Sequence, residues 1–157
     1  MATEIRNCDC LELRNARQAD LGEVVALLQR AELPAAGVAE AFSHFVVAEH
    51  EGRIVGTAGL ELYGASALLR SVVVDDSWRS SGVGRRLIDR ALAEATQRGI
   101  EDIFLLTTTA EHYFPRFGFT CVSRDAVTEE VQASVEFQGA CPSSAVAMRK
   151  SLRADPR

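Results

Sequence analysis

Arg79-Ser80-Ser81-Gly82-Val83-Gly84 sets two glycines and two serines where a helix begins. A glycine carries no Cβ, so an anion can approach its backbone closely. The first N–H groups of a helix have no partner inside it, and the helix dipole is positive at that end. Such a turn suits a pyrophosphate, and Arg79 and Arg85 would add charge-assisted contacts. The same residues also fit a ligand-free helix start. Upstream, Glu61 lies among apolar neighbours in Thr57-Ala58-Gly59-Leu60-Glu61-Leu62. A carboxylate buried in such a strand is tuned toward general-base work; an outward-facing Glu on a half-exposed strand is the alternative. Arg70 and Ser71 interrupt an otherwise apolar run. An unpaired buried charge is very costly, so Arg70 needs a partner. Glu61 would make that partnership structural. An acceptor's carboxylate or oxyanion, bound bidentately, would make it a substrate contact. The two can coexist if substrate displaces a resting pair.

The elements that must position these groups are legible around them. Leu68 to Val74 reads as a strand buried on both faces. From Val83 onward, Leu87, Ile88, Ala91, Leu92 and Ala95 form one helical face, and Arg85, Arg86, Asp89, Arg90 and Glu94 form the other. Gly99 is placed to close that helix at its C′ position. Leu11 to Arg17 alternates as a first strand. Asp20 with Glu23 predicts a capping box, followed by an amphipathic helix that Pro34 stops. Pro34 to His44 reads as a loop with a short helix. Phe45 to Glu49, a turn at His50-Glu51-Gly52-Arg53, and Arg53 to Tyr63 predict a hairpin. After the central helix come a short helix or an excursion over Asp125 to Ser134 and a last strand within Ser144 to Leu152. Thr107-Thr108-Thr109 could cap the element after its strand or touch a ligand. Ala154 to Arg157 should fray.

Two familiar phosphate motifs fit poorly. A Walker loop is absent. A Rossmann fingerprint would place Leu87 where Gly or Ala is needed, although Glu101 and Asp102 lie near its acidic position. The pattern Arg-x-x-Gly-x-Gly after a Val-rich strand resembles instead the acetyl-CoA pyrophosphate loop of the GNAT N-acetyltransferases. Asp102-Ile103-Phe104-Leu105-Leu106-Thr107 and Phe114-Pro115-Arg116-Phe117-Gly118-Phe119 resemble that family's next strand and its Gly-Phe helix. The resemblance runs from about Leu11 to Leu152.

It implies an α/β (α+β) fold with a central mixed, mostly antiparallel sheet flanked by helices, and acetyl-CoA as cosubstrate. It implies cofactor contacts from Arg79, Ser80, Ser81, Gly82, Val83, Gly84 and Arg85. It also implies a backbone donor to the thioester oxygen from among Val72, Val73 and Val74. Selectivity for the acceptor would lie in Pro34 to His44. Many members carry a Tyr acid four residues before the Gly of Gly-Phe; here that position is Phe114. Tyr113 and His112 are the adjacent candidates, or the thiolate leaves without assistance. A narrower resemblance links Leu69-Arg70-Ser71, Leu105 to Glu111, Arg124, Glu136-Phe137 and Cys141-Pro142-Ser143-Ser144-Ala145 to the GNAT proteins of arsenic-resistance operons. This implies a small amine acceptor, including an arsenic-containing amino acid.

The chain of 157 residues has the length of one domain, 1–157, with a real core. A net charge of −5 disfavours general nucleic-acid binding. No apolar run has the length of a membrane span, and Met1 to Asn15 shows no signal-peptide pattern. A cytoplasmic location is therefore expected. Cys8, Cys10, Cys121 and Cys141 are too sparse for a disulfide scaffold. Cys8-Asp9-Cys10 suits a soft metal but lacks companion ligands, so no metal site is expected. Arsenic binding by Cys121 and Cys141 lacks an obvious multi-thiol site. With no cysteine placed as a nucleophile, transfer should be direct, without an acyl-enzyme. The reading is an acetyl-CoA-dependent N-acetyltransferase for the amine of a small molecule, with a homodimer left open. Its rival is a non-catalytic acetyl-CoA-binding sensor or interaction module.

Overall fold

Seven strands form one sheet in the order β1-β2-β3-β4-β5-β7-β6 in a computed structural model that describes residues 11–153. Cys8 and Cys10 lie outside the described residues. The strands are β1 Leu11–Asn15, β2 Phe45–His50, β3 Arg53–Tyr63, β4 Ser66–Val74, β5 Asp102–Thr107, β6 Thr120–Val122 and β7 Val146–Ser151. The helices are α1 Leu21–Arg30, α2 Val38–Ala41, α3 Val83–Gln97 and α4 Glu129–Gln132. The expected mixed, mostly antiparallel sheet is present. A Rossmann fold requires a parallel sheet; β4–β5 is the parallel pair among the ladders described, so that alternative is set aside. Among the described residues no helix is long and apolar enough to cross a membrane.

The chain divides into two compact units, one made of residues up to Gly59 plus Ser71–Ala91, the other of Leu60–Arg70 plus the residues from Leu92 onward. In the first unit β1 and β2 pair antiparallel from Leu11↔His50 to Asn15↔Val46. β2 and β3 are joined through Glu51 (φ 50°) and Gly52 (φ 80°). Two consecutive left-handed residues make the type I′ turn that matches strand twist. Val24, Leu27 and Leu28 of α1 pack with Val38, Phe42, Phe45, Val47, Ile54 and Val73. A Cβ at Gly56 would fall 2.9 Å from Leu87 Cδ1 and 3.2 Å from the Val73 carbonyl. Glycine there lets β3 lie close under α3 and beside β4.

The predicted capping box at Asp20 and Glu23 does not form. Asp20 is itself in the right-handed helical region and ends a short 3₁₀ turn, Gln18–Asp20, whereas an N-cap needs extended backbone. Its carboxylate accepts instead from the Arg17 N–H (2.7 Å) and from Arg14 (2.8 and 3.1 Å). Glu23 accepts the Ile54 N–H at 2.8 Å and so ties α1 to β3.

In the second unit β4 pairs parallel with β5 over Ser66–Leu68 and Asp102–Phe104. Parallel neighbours need a long connection, and the one between them contains α3. β5 pairs with β7 along its whole length, from Asp102↔Ser151 to Thr107↔Val146, and β6 pairs with β7. Leu68, Phe104, Val127, Val131 and Ala147 form a buried cluster, with Tyr63, Leu106, Val122 and Phe137 against it. Gly99 (φ 79°) ends α3 as expected. The Gly99 N–H reaches the Thr96 carbonyl and the Ile100 N–H that of Ala95, the Schellman arrangement. Lys150, the single lysine of the chain, is half-buried on β7. Its Nζ sits 2.6 Å from where a Cβ on Gly118 would project.

Candidate active site

The loop before α3 is held from below by Trp78, which is buried and meets His50 edge-on at 4.8 Å. A 3₁₀ turn, Asp76–Trp78, leads into extended Arg79, then Ser80 at φ 64° and Gly82 at φ 89°. Ser81 Oγ donates to the Trp78 carbonyl and locks the turn. The Gly82 carbonyl accepts the Arg86 N–H at 3.1 Å, so Gly82 caps α3. The next amides, of Val83 and Gly84, belong to the first turn, whose N–H groups have no intrahelical partner. Gly82 is exposed, and a Cβ there would meet nothing within 4 Å. Open space in front of a capping glycine is what a diphosphate needs to reach those amides. Along α3, Val83, Leu87, Ile88, Ala91 and Ala95 are buried and Arg85, Arg86, Asp89 and Arg90 are exposed, as the periodicity requires. Upstream, Ser71 takes φ 59°, a left-handed residue within β4 beside Val72, Val73 and Val74.

The second unit holds a buried polar cluster. Arg70 has no side-chain exposure; its Nη1 donates to Glu61 Oε2 at 2.6 Å, and its Nε lies 3.4 Å from Glu136 Oε2. The Tyr63 hydroxyl donates to Glu61 Oε1. Each Glu61 oxygen therefore accepts a hydrogen bond, while the residue keeps only 8% exposure. Burial pushes the Glu136 carboxyl upward; Arg70 opposes the shift and Glu61 adds to it. Burial and the Glu61 contact push the Tyr63 phenol upward as well. Cys141 bonds to Glu136, and burial with that carboxylate pushes its thiol up to about 12. A thiol so raised is a poor metal ligand or nucleophile.

Glu61 and Arg70 thus come together as the sequence allows, with Glu61 facing inward. Glu136 and Tyr63 were not singled out as site residues. Tyr63 had a signal, because residues two apart on a strand share a face. Glu136 had only its place in the narrower resemblance: it arrives on a π-helical turn, Glu136–Ala140, that no simple periodicity announces. Tyr113 lies half-buried between the Phe114 and Phe117 rings with Arg116 over its face at 4.8 Å. His112 is exposed. Phe114 is buried edge-on to Phe119. Thr107 Oγ1 accepts the Ala110 N–H at 2.9 Å, which closes a local turn rather than capping a helix: the next helical turn, Phe114–Phe117, has Tyr113 at its N-cap and no side-chain cap. Arg124 holds the tail by donating to the Ala145 and Pro142 carbonyls at 2.9 and 3.1 Å. Cys121 is exposed.

The profile of the acetyltransferase (GNAT) domain matches residues 41–121. An uncharacterized N-acetyltransferase, CT2212 of Chlorobaculum tepidum, is 27% identical over 131 residues, covering 76% of this chain and 81% of that protein. The amino-acid acetyltransferase of Ralstonia nicotianae is 30% identical over 140 residues, covering 83% of this chain and 31% of that protein. The chain thus spans about a third of the length of that relative. Among solved structures, Rv2747 of Mycobacterium tuberculosis, complexed with CoA and a second ligand, superposes with a TM-score of 0.77. It is 26% identical, with 90% of this chain and 99% of that one covered.

Proposed function

Because the chain belongs to the GNAT acetyltransferases, we propose that it moves the acetyl group of acetyl-CoA directly to the amine of a small molecule of the amino-acid class. The observation that carries this reading is the inward-facing Glu61, buried and held at both oxygens. Acetyl-CoA supplies the activated carbonyl. The amides of Val83 and Gly84, with Ser80, Ser81 and Gly82 as hinge and Arg79 and Arg85 as counter-charges, would hold its diphosphate. Backbone donors among Val72, Val73 and Val74 would face the thioester oxygen as charge builds there. Glu61 would take the proton that the attacking amine must lose. Arg70 keeps Glu61 oriented and, with Ser71, is the substrate-side pair; an anionic group on the acceptor would compete with Glu61 for its guanidinium.

The amino-acid class is supported by the names of relatives matched over most of this chain. The arsenic-bearing subset is supported by the tail that Arg124 holds and by Glu136, both within the narrower resemblance. Tyr113 and His112 remain the acid candidates. The apolar, buried Phe114 favours unassisted departure of a thiolate, whose ordinary pKa is only about 8.5. The same Phe114 favours the second reading, a non-catalytic acetyl-CoA-binding module. Thiol release from acetyl-CoA in the presence of an amino-acid panel, arsenic-bearing members included, separates the two. Release with one class of amine supports the enzyme. Acetyl-CoA binding without release for any amine supports the module.

A further inference from the structure

We propose that Tyr63 is a catalytic residue that relays the acceptor's proton to Glu61; this rests on the reading of Glu61 as the base. Three observations lead there. Glu61 is almost closed off, with 8% exposure and a donor on each oxygen. Tyr63 ends β3 half-buried, so of the bonded pair it is the more open member. Arg70 occupies Oε2, and Glu136 and Cys141 close the far side of Arg70. On this geometry Tyr63 is the more accessible of the two groups bonded to the carboxylate.

A hydroxyl can accept one proton while donating another. As the amine nitrogen's lone pair forms the bond to the acetyl carbon, its N–H bond breaks and the proton joins the phenolic oxygen. In the same event the phenolic O–H breaks and its proton joins Oε1 of Glu61. The electron pair of the carbon–sulfur bond leaves with the CoA sulfur. Tyr63 is a neutral phenol before and after, and Glu61 ends one proton richer. The upward push on the phenol suits this role, because a relay must not ionise. Arg70 stays charged throughout and holds the other carboxylate oxygen still.

Tyr63→Phe keeps the ring that packs against Leu68, Phe104, Val127, Val131 and Ala147, so the fold should persist; the thermal midpoint checks this. The expected result is a kcat lower by about 10²-fold, with KM for acetyl-CoA within about twofold of wild type. In mixtures of light and heavy water, the wild-type rate should curve with deuterium content, as more than one proton moves together. The Tyr63→Phe rate should vary linearly. A folded Tyr63→Phe enzyme with wild-type kcat overturns the relay, as does an unchanged curved dependence. Glu61→Gln, measured alongside, separates the layers. A Glu61→Gln loss with an unaffected Tyr63→Phe removes the relay and keeps the base. A Glu61→Gln enzyme at full rate removes the base reading itself.

Discussion

Arg70 Nη1 lies 2.6 Å from Glu61 Oε2, and the guanidinium has no solvent exposure. A cation so buried is tolerable only while its partners stay. Arg70→Met would strand two buried carboxylates, Glu61 and Glu136. It is expected to cost about 3–5 kcal/mol, read as a lower urea midpoint at pH 7.

Glu61→Gln keeps the shape of that contact and removes the base. Turnover should fall about 10²-fold. The loss should persist at high pH, because the proton that Glu61 receives leaves an amine that is already free when it attacks. Rate–pH profiles of the two enzymes with one acceptor test this; superimposed profiles would take Glu61 out of the chemistry.

Gly82→Asp places a Cβ and a carboxylate in the open space before α3. Asp tolerates the left-handed region better than most residues, so the cost in stability should be about 1 kcal/mol. CoA affinity should drop by more than tenfold, as seen by calorimetry, with far-UV dichroism unchanged. Retained affinity would remove the loop as the diphosphate site.

Glu136 binds its proton more tightly in the folded protein than in the unfolded chain, because burial raises its pKa. The stability this provides is complete below about pH 4 and is lost as pH rises through the raised value. Glu136→Gln never ionises. Its stability relative to wild type should therefore improve as pH rises, by on the order of 1 kcal/mol. Urea midpoints from pH 4 to pH 8 give the comparison.

Asp20 behaves in the opposite sense. The hydrogen-bonded Arg14 guanidinium holds its carboxyl below the ordinary value. The stabilisation is present above about pH 4 and fades as pH falls through the lowered value. Asp20→Asn should cost about 1 kcal/mol at pH 7, and the difference should close toward pH 2.

Elements with a strong repeat were legible in the sequence. The buried face of α3 and the cap at Gly99 follow from spacing alone, and β3 keeps the predicted bounds, Arg53–Tyr63. Asp20 and Glu23 misled because a capping motif describes local options, and here an ion pair with Arg14 and a bond to Ile54 offered those carboxylates better partners. The Arg70–Glu61 pair was foreseeable because a buried charge demands compensation. Glu136 was not, since its 66-residue separation from Arg70 is closed by tertiary structure through an irregular turn.

Lys150 bears on how such a protein endures its own reagent. Any free primary amine that meets an activated acyl donor can attack it, and lysine side chains are the usual casualties. This chain carries its positive charge almost entirely on guanidinium groups, which stay protonated and do not react in this way. The one ε-amine it keeps is half-buried on β7 against Gly118. The surface can therefore sit in a pool of acetyl donor with little of itself to lose, and adventitious acylation of a side-chain amine has a single address.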